Sequence, residues 1–85
     1  MDYTCPVCGF TGLTAPPRSP RTGGASDEIC PSCGFQFGFS DDDRGYTYET
    51  WRDDWIRRGM PWSGIGQAPP ANWNPKLQLK ALLER

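Results

Sequence analysis

Six residues, Cys5-Pro6-Val7-Cys8-Gly9-Phe10, recur twenty-five positions later as Cys30-Pro31-Ser32-Cys33-Gly34-Phe35, and this repeat constrains the fold more than anything else in the chain. Each C-x2-C turn can aim two sulfurs at adjacent corners of a tetrahedron, and the long insert leaves the two turns free to dock. Cys5, Cys8, Cys30 and Cys33 are therefore the candidate ligands of one metal ion. The rest of the motif fits that task. A glycine one residue past the second cysteine, Gly9 or Gly34, can take positive φ and turn backbone N–H groups toward thiolates, while Pro6 and Pro31 fix φ at the start of each turn.

A metal matters because the chain is short. Its 85 residues include ten glycines and nine prolines, and its aliphatic side chains gather near the C-terminus. A core of this size supplies only ~3–5 kcal/mol, whereas structural zinc contributes ~10–16 kcal/mol in small zinc-finger peptides. Coordination, more than burial, is expected to fix the shape. Two other uses of paired cysteines are open, structural disulfides and a redox-active C-x2-C. A reducing compartment favours metal ligands over disulfides, and no βαβ pattern surrounds either pair as a redox motif would want. The expected cofactor is one Zn2+, with iron also accepted by a tetrahedral four-sulfur site.

Between the motifs, residues 14–28 hold Ala15-Pro16-Pro17-Arg18-Ser19-Pro20 and Thr22-Gly23-Gly24-Ala25-Ser26, which reads as a flexible surface loop. Phe35-Gln36-Phe37-Gly38-Phe39 alternates aromatic with small or polar residues and predicts a half-buried strand in a short hairpin. Ser40-Asp41-Asp42-Asp43-Arg44-Gly45 ends it in an acidic turn. Helical spacing of Tyr48, Trp51 and Trp55 predicts a helix over about 47–58, N-capped by Thr47 and stopped by Gly59, with i,i+4 pairs Asp53–Arg57 and Asp54–Arg58. An irregular connector over 60–72 holds Trp62 and Ile65 and is expected to lie partly across the domain. Asn74-Pro75 then opens a helix to about residue 84, with Leu79, Leu82 and Leu83 on one face and Leu77 on another.

The paired C-P-x-C-G turns resemble those of the zinc-ribbon superfamily and of rubredoxins. In a rubredoxin the same four sulfurs hold a redox iron, which implies electron transfer, but this chain has 22–28 where rubredoxins carry an acidic, aromatic stretch. Over residues 3–58 the layout of two turns, an acidic turn and a Trp-rich helix is similar to small bacterial cysteine-rich proteins of the CPCC family, although Val7 stands at that family's middle cysteine. The resemblance implies a metal-binding fold and supplies no activity. The expected architecture is a small α+β metal-bound domain over residues 1–85. Residues 1–39 form a ribbon with a short antiparallel β-sheet, and 40–85 contribute two helices.

Functional classes narrow by exclusion. Without histidine there is no His-based nucleophilic or acid–base arrangement, and four cysteines fill the coordination that catalytic zinc keeps open for water. Three adjacent aspartates match neither an EF-hand nor an opposed carboxylate pair. Formal net charge is −1, falling to about −3 if four thiolates enclose a divalent ion, and the nine basic residues are dispersed, which disfavours nucleic acid. No basic stretch followed by an apolar run opens the chain and no membrane-length apolar window exists, so the expectation is cytoplasmic. What is left is a non-enzymatic zinc module for protein–protein interaction or scaffolding. Rubredoxin-like electron transfer is the first alternative and nucleic-acid binding the second. Trp51, Trp55, Trp62 and Trp73, with Tyr48, Phe35, Phe37 and Phe39, are expected chiefly in the core, the alternative being a groove for a peptide. Pro17-Arg18-Ser19-Pro20 also fits a P-x-x-P ligand, though a plain loop is the simpler reading.

Overall fold

The computed structural model describes residues 3–64 and 66–84; the readings that involve Met1, Asp2, Ile65 and Arg85 lie outside these. Two helices form where the apolar spacing places them, α1 over Tyr48–Arg57 and α2 over Pro75–Leu83. Thr47 and Thr50 make a reciprocal capping box at the start of α1. At its end, Met60 N–H donates to the Trp55 carbonyl at 2.9 Å and Gly59 N–H to the Ile56 carbonyl at 3.0 Å, with Gly59 at φ +92°. These paired bonds satisfy carbonyls the helix would otherwise leave open. Asn74 caps α2 by accepting from Leu77 N–H, and Pro75 begins it. One expected ion pair differs: Arg58 reaches Asp54 at 3.2 Å, but Arg57 also turns to Asp54, at 3.5 Å, instead of to Asp53.

The expected antiparallel sheet does not form, and the α+β assignment is corrected accordingly. Among the described residues there is no strand, only three isolated antiparallel bridges, Tyr3 with Leu13, Arg18 with Ala25 and Ile29 with Gln36. The physical reason lies in how soon each ladder is consumed. Directly inside the first bridge the chain closes into its cysteine turn, Cys5 N–H donating to the Phe10 carbonyl and Gly9 N–H to the Cys5 carbonyl. After the third bridge, the predicted strand at 35–39 bends at Gly38, φ +99°, whose N–H donates to Asp41 Oδ1 at 2.7 Å. Ser40 Oγ takes the Gln36 N–H, and Ser40 N–H returns to the Gln36 carbonyl. Local side-chain acceptors thus claim the N–H groups of Gln36 and Gly38, and the chain turns away once Phe37 has bonded Asp27 and Glu28.

The core gathers around the cysteines. Val7, Leu13, Phe35, Phe37, Trp55 and Leu79 are buried with all four cysteines, and Tyr48, Trp51, Trp73 and Leu82 pack partly buried against them. Phe35 meets Phe37, Tyr48 and Trp51 at centroid distances of 5.2–5.5 Å, while Trp62 bridges Phe10 and Trp73. Trp55 is fully buried and donates its indole N–H to the Pro61 carbonyl. Of the α2 leucines, Leu79 is buried and Leu82 half-buried, but Leu83 stays 58% exposed and Leu77 64%. The insert is tied down by its own bonds, Ser19 N–H to the Gly24 carbonyl and Ser26 N–H to the Pro17 carbonyl.

Candidate metal centre

The sequence repeat is also a structural repeat. Cys30 N–H donates to the Phe35 carbonyl at 3.0 Å and Gly34 N–H to the Cys30 carbonyl at 2.7 Å, matching 2.7 and 2.9 Å at the equivalent positions of the first turn. Gly9 and Gly34 take φ +87° and +83°, the left-handed geometry for which glycine suits that position. Both turns face one another. Cys5 Sγ lies 3.9 Å from Cys33 Sγ, and Cys8 Sγ lies 3.7 Å from Cys30 Sγ.

All four sulfurs fall within 4.8 Å of one another, every cysteine is buried, and none is in a disulfide. Sulfurs about 2.3 Å from a tetrahedral ion stand roughly 3.8 Å apart, so the two cross-turn separations match the edge of such a tetrahedron. The residues present therefore fit one thiophilic ion, and the four cysteines form a cluster able to hold it. The four thiols also act on one another. The Cys8 thiol is pushed strongly down, chiefly by the neighbouring Cys30 sulfur 3.7 Å away. Cys33 is pushed strongly up by Cys30, Cys5 and Cys8, and then by burial. Four thiolates at this spacing repel one another, and a cation at their centre is what allows all four to ionise together.

Further polar side chains frame the centre. Arg52 donates through Nε to the Val7 carbonyl at 2.7 Å and through Nη2 to the Pro6 carbonyl at 2.8 Å, setting a guanidinium against the first turn. Its neighbour Trp51 donates its indole N–H to the Cys33 carbonyl at 2.9 Å. Consecutive residues of α1 thus grip both turns. Ser63 N–H bonds the Pro31 carbonyl, and buried Ser32 accepts from Trp73 Nε1 and Gln78 Nε2. Glu28 accepts from the N–H groups of Thr14 and Ala15, joining the far ends of the two turns. Two signals were available: Arg52 adjoins the inward Trp51 stripe, and Ser32 is polar where its counterpart Val7 is apolar.

Asp41 and Asp42 are engaged by the chain itself. Arg18 bonds both, at 2.8 and 2.7 Å, and Asp41 also accepts from the N–H groups of Gly38 and Asp42. The same pairing removes Arg18 from any free P-x-x-P segment. No described helix is long and apolar enough to cross a membrane.

Two curated proteins of Bacillus subtilis (strain 168) are similar to this chain. Uncharacterized protein YoaQ is 31% identical over 71 residues, which covers 68% of this chain and 60% of YoaQ. Uncharacterized protein YozI is 31% identical over 72 residues, with the same coverage of 68% and 60%. The chain spans about three fifths of the length of the curated relatives it matches. No family model matches the chain, and no solved structure matches it.

Proposed function

We propose that this is a non-enzymatic module in which Cys5, Cys8, Cys30 and Cys33 hold one structural Zn2+, and that its work is to bind another protein or peptide. The observation that carries the metal reading is the set of four buried sulfurs within 4.8 Å of one another, with two cross-turn separations that match a tetrahedral edge. When bound, zinc supplies a cross-link between turns that are otherwise joined by few backbone bonds. Burial of every cysteine leaves no approach for a substrate or water, which supports a structural role. A reducing interior such as the cytoplasm suits four free thiols.

The interaction reading is supported by a shallow apolar groove of ≈ 530 Å³ between the end of α1 and α2, lined by Ile56, Met60, Leu79 and Leu83 and edged by Lys76, Lys80 and Glu84. Dispersed basic residues and a formal charge of −1 speak against nucleic acid. Native mass spectrometry with elemental analysis on protein purified from its source cells tests the whole reading. The expected result is one zinc per chain, no visible absorption and a co-purifying polypeptide. One iron with sulfur-to-iron absorption would transfer the reading to electron transfer, and steeply salt-dependent binding of DNA or RNA would replace the interaction role.

A further inference from the structure

The face of α2 that flanks the apolar groove carries two parallel rows. Leu79 and Leu83 stand one helical turn apart, and so do Lys76 and Lys80 beside them, so an apolar ridge runs alongside a cationic one. Across the groove, Ile56 and Met60 add apolar surface and no charge. Ile56 is 40% exposed and Leu83 58%, which leaves large aliphatic groups in water on both walls. Met60 is held there at a cost: its φ is +56°, left-handed backbone that disfavours a residue with a Cβ, and its N–H is fixed on the Trp55 carbonyl at 2.9 Å. A flexible thioether at such a position can adapt to whatever covers it. The cations are available too. Lys76 makes no ion pair among the described residues, and Lys80 reaches Glu84 only at 3.9 Å with both side chains mostly exposed, a contact of little worth.

We propose that this groove takes an acidic amphipathic helix of another protein, its apolar stripe against Ile56, Met60, Leu79 and Leu83 and two carboxylates one turn apart against Lys76 and Lys80. This deepens the interaction reading above and rests on it. A helix is the form that suits, because apolar anchors at i, i+3 or i+4 and i+7 settle into a groove with helical walls. The described residues offer no strand to which an extended peptide could add. The lysines specify the sign: a carboxylate reaches them without displacing a strong partner, whereas a basic helix meets like charges. A second copy of the chain matches less well. Two-fold pairing sets a patch against itself, and two lysines to one glutamate, Glu84, leave cations unpaired on each side. A flat bilayer does not enter a groove.

Two synthetic helical peptides test this on the full chain supplied with zinc, followed by amide NMR. Both carry the same leucine stripe; one has two glutamates spaced i,i+4 along its edge, the other lysines at those positions. The glutamate peptide should shift amides around Ile56, Met60, Leu79 and Leu83 and bind about 10-fold more tightly than the lysine peptide. K76E/K80E, which changes two exposed side chains, should keep the native amide dispersion and reverse that preference. Equal affinity for the two peptides, or shifts centred elsewhere, overturns the acidic occupant and leaves the interaction reading standing. If neither peptide binds, the proposal falls, and the polypeptide that co-purifies from source cells decides the interaction reading separately. A doubling of mass in sedimentation with shifts at the same amides makes a second copy the occupant, and binding to phosphatidylglycerol vesicles through them makes it a membrane; either overturns the proposal. Should K76E/K80E fail to fold, the two peptides on the native chain decide the matter alone.

Discussion

Arg52 spans two consecutive carbonyls of the first cysteine turn, and its bonds join a charged donor to the buried Val7 and the half-buried Pro6. Such bonds are worth more than neutral ones, so R52M should destabilise the metal-loaded protein by about 2–3 kcal/mol in denaturant unfolding. Lysine cannot reproduce the fork and should recover only part of that. At Gly9 two costs combine. Its φ of +87° strains any other residue, and an added Cβ would run into the Gln78 backbone carbonyl, which cannot move without α2. Gly59 shares the positive φ, +92°, but has open space around it. G59A should therefore cost about 1–2 kcal/mol, and G9A clearly more; equal losses would mean that α2 does not press on the first turn. Asp41 shows a third residue-scale effect. Burial would raise its carboxyl, but the Arg18 guanidinium and the N–H groups of Gly38 and Asp42 outweigh that and hold it below its ordinary 3.8. A carboxyl lowered on folding stabilises the fold above its unfolded pKa, and this contribution is lost as pH falls through the folded value. A 13C titration of the side-chain carboxyl should place the Asp41 midpoint below 3.8 in the native chain and higher in R18Q.

At the scale of elements, the two helices form where the sequence places them, and the strand expected over 35–39 does not form. Tyr48, Trp51 and Trp55 recur at helical spacing, cap residues stand at both ends, and every one of these local signals agrees, so α1 forms where periodicity places it. Thr47 carries part of that agreement: T47A removes the bond to Thr50 N–H and should cost about 1 kcal/mol, read as fraying at the start of α1 by amide exchange. Phe35, Phe37 and Phe39 gave an equally clear alternation, yet only Phe35 and Phe37 are buried, and Phe39 is exposed beside Arg44. The alternation reported burial of two aromatics, not a ladder. What decided against a strand was Gly38 with the side chains of Ser40 and Asp41, whose acceptors lie three to four residues from the donors they capture.

Across the whole molecule, the buried residues surround the sulfurs, and the second half of the chain grips the cysteine turns through Trp51, Arg52, Ser63, Trp73 and Gln78. Removing the metal should therefore release more than the turns. A chelator under anaerobic reducing buffer is expected to collapse amide dispersion in NMR across α1 and α2 as well as around the cysteines, and readdition of zinc to restore it. Persistence of native dispersion in the stripped chain would mean that hydrophobic burial alone suffices. Acid should act similarly, because protons compete with metal for thiolates.

The four cysteines, the turn shape around each and the two helices were determined by the sequence alone, because each depends on residues only a few positions apart: proline and glycine beside a C-x2-C, caps around an apolar stripe. Tertiary structure alone decided which groups surround the centre. Arg52 meets Val7 and Gln78 meets Ser32 across separations of 45 and 46 residues. No local pattern encodes such a pairing; it exists once both turns have closed and the helices have packed over them.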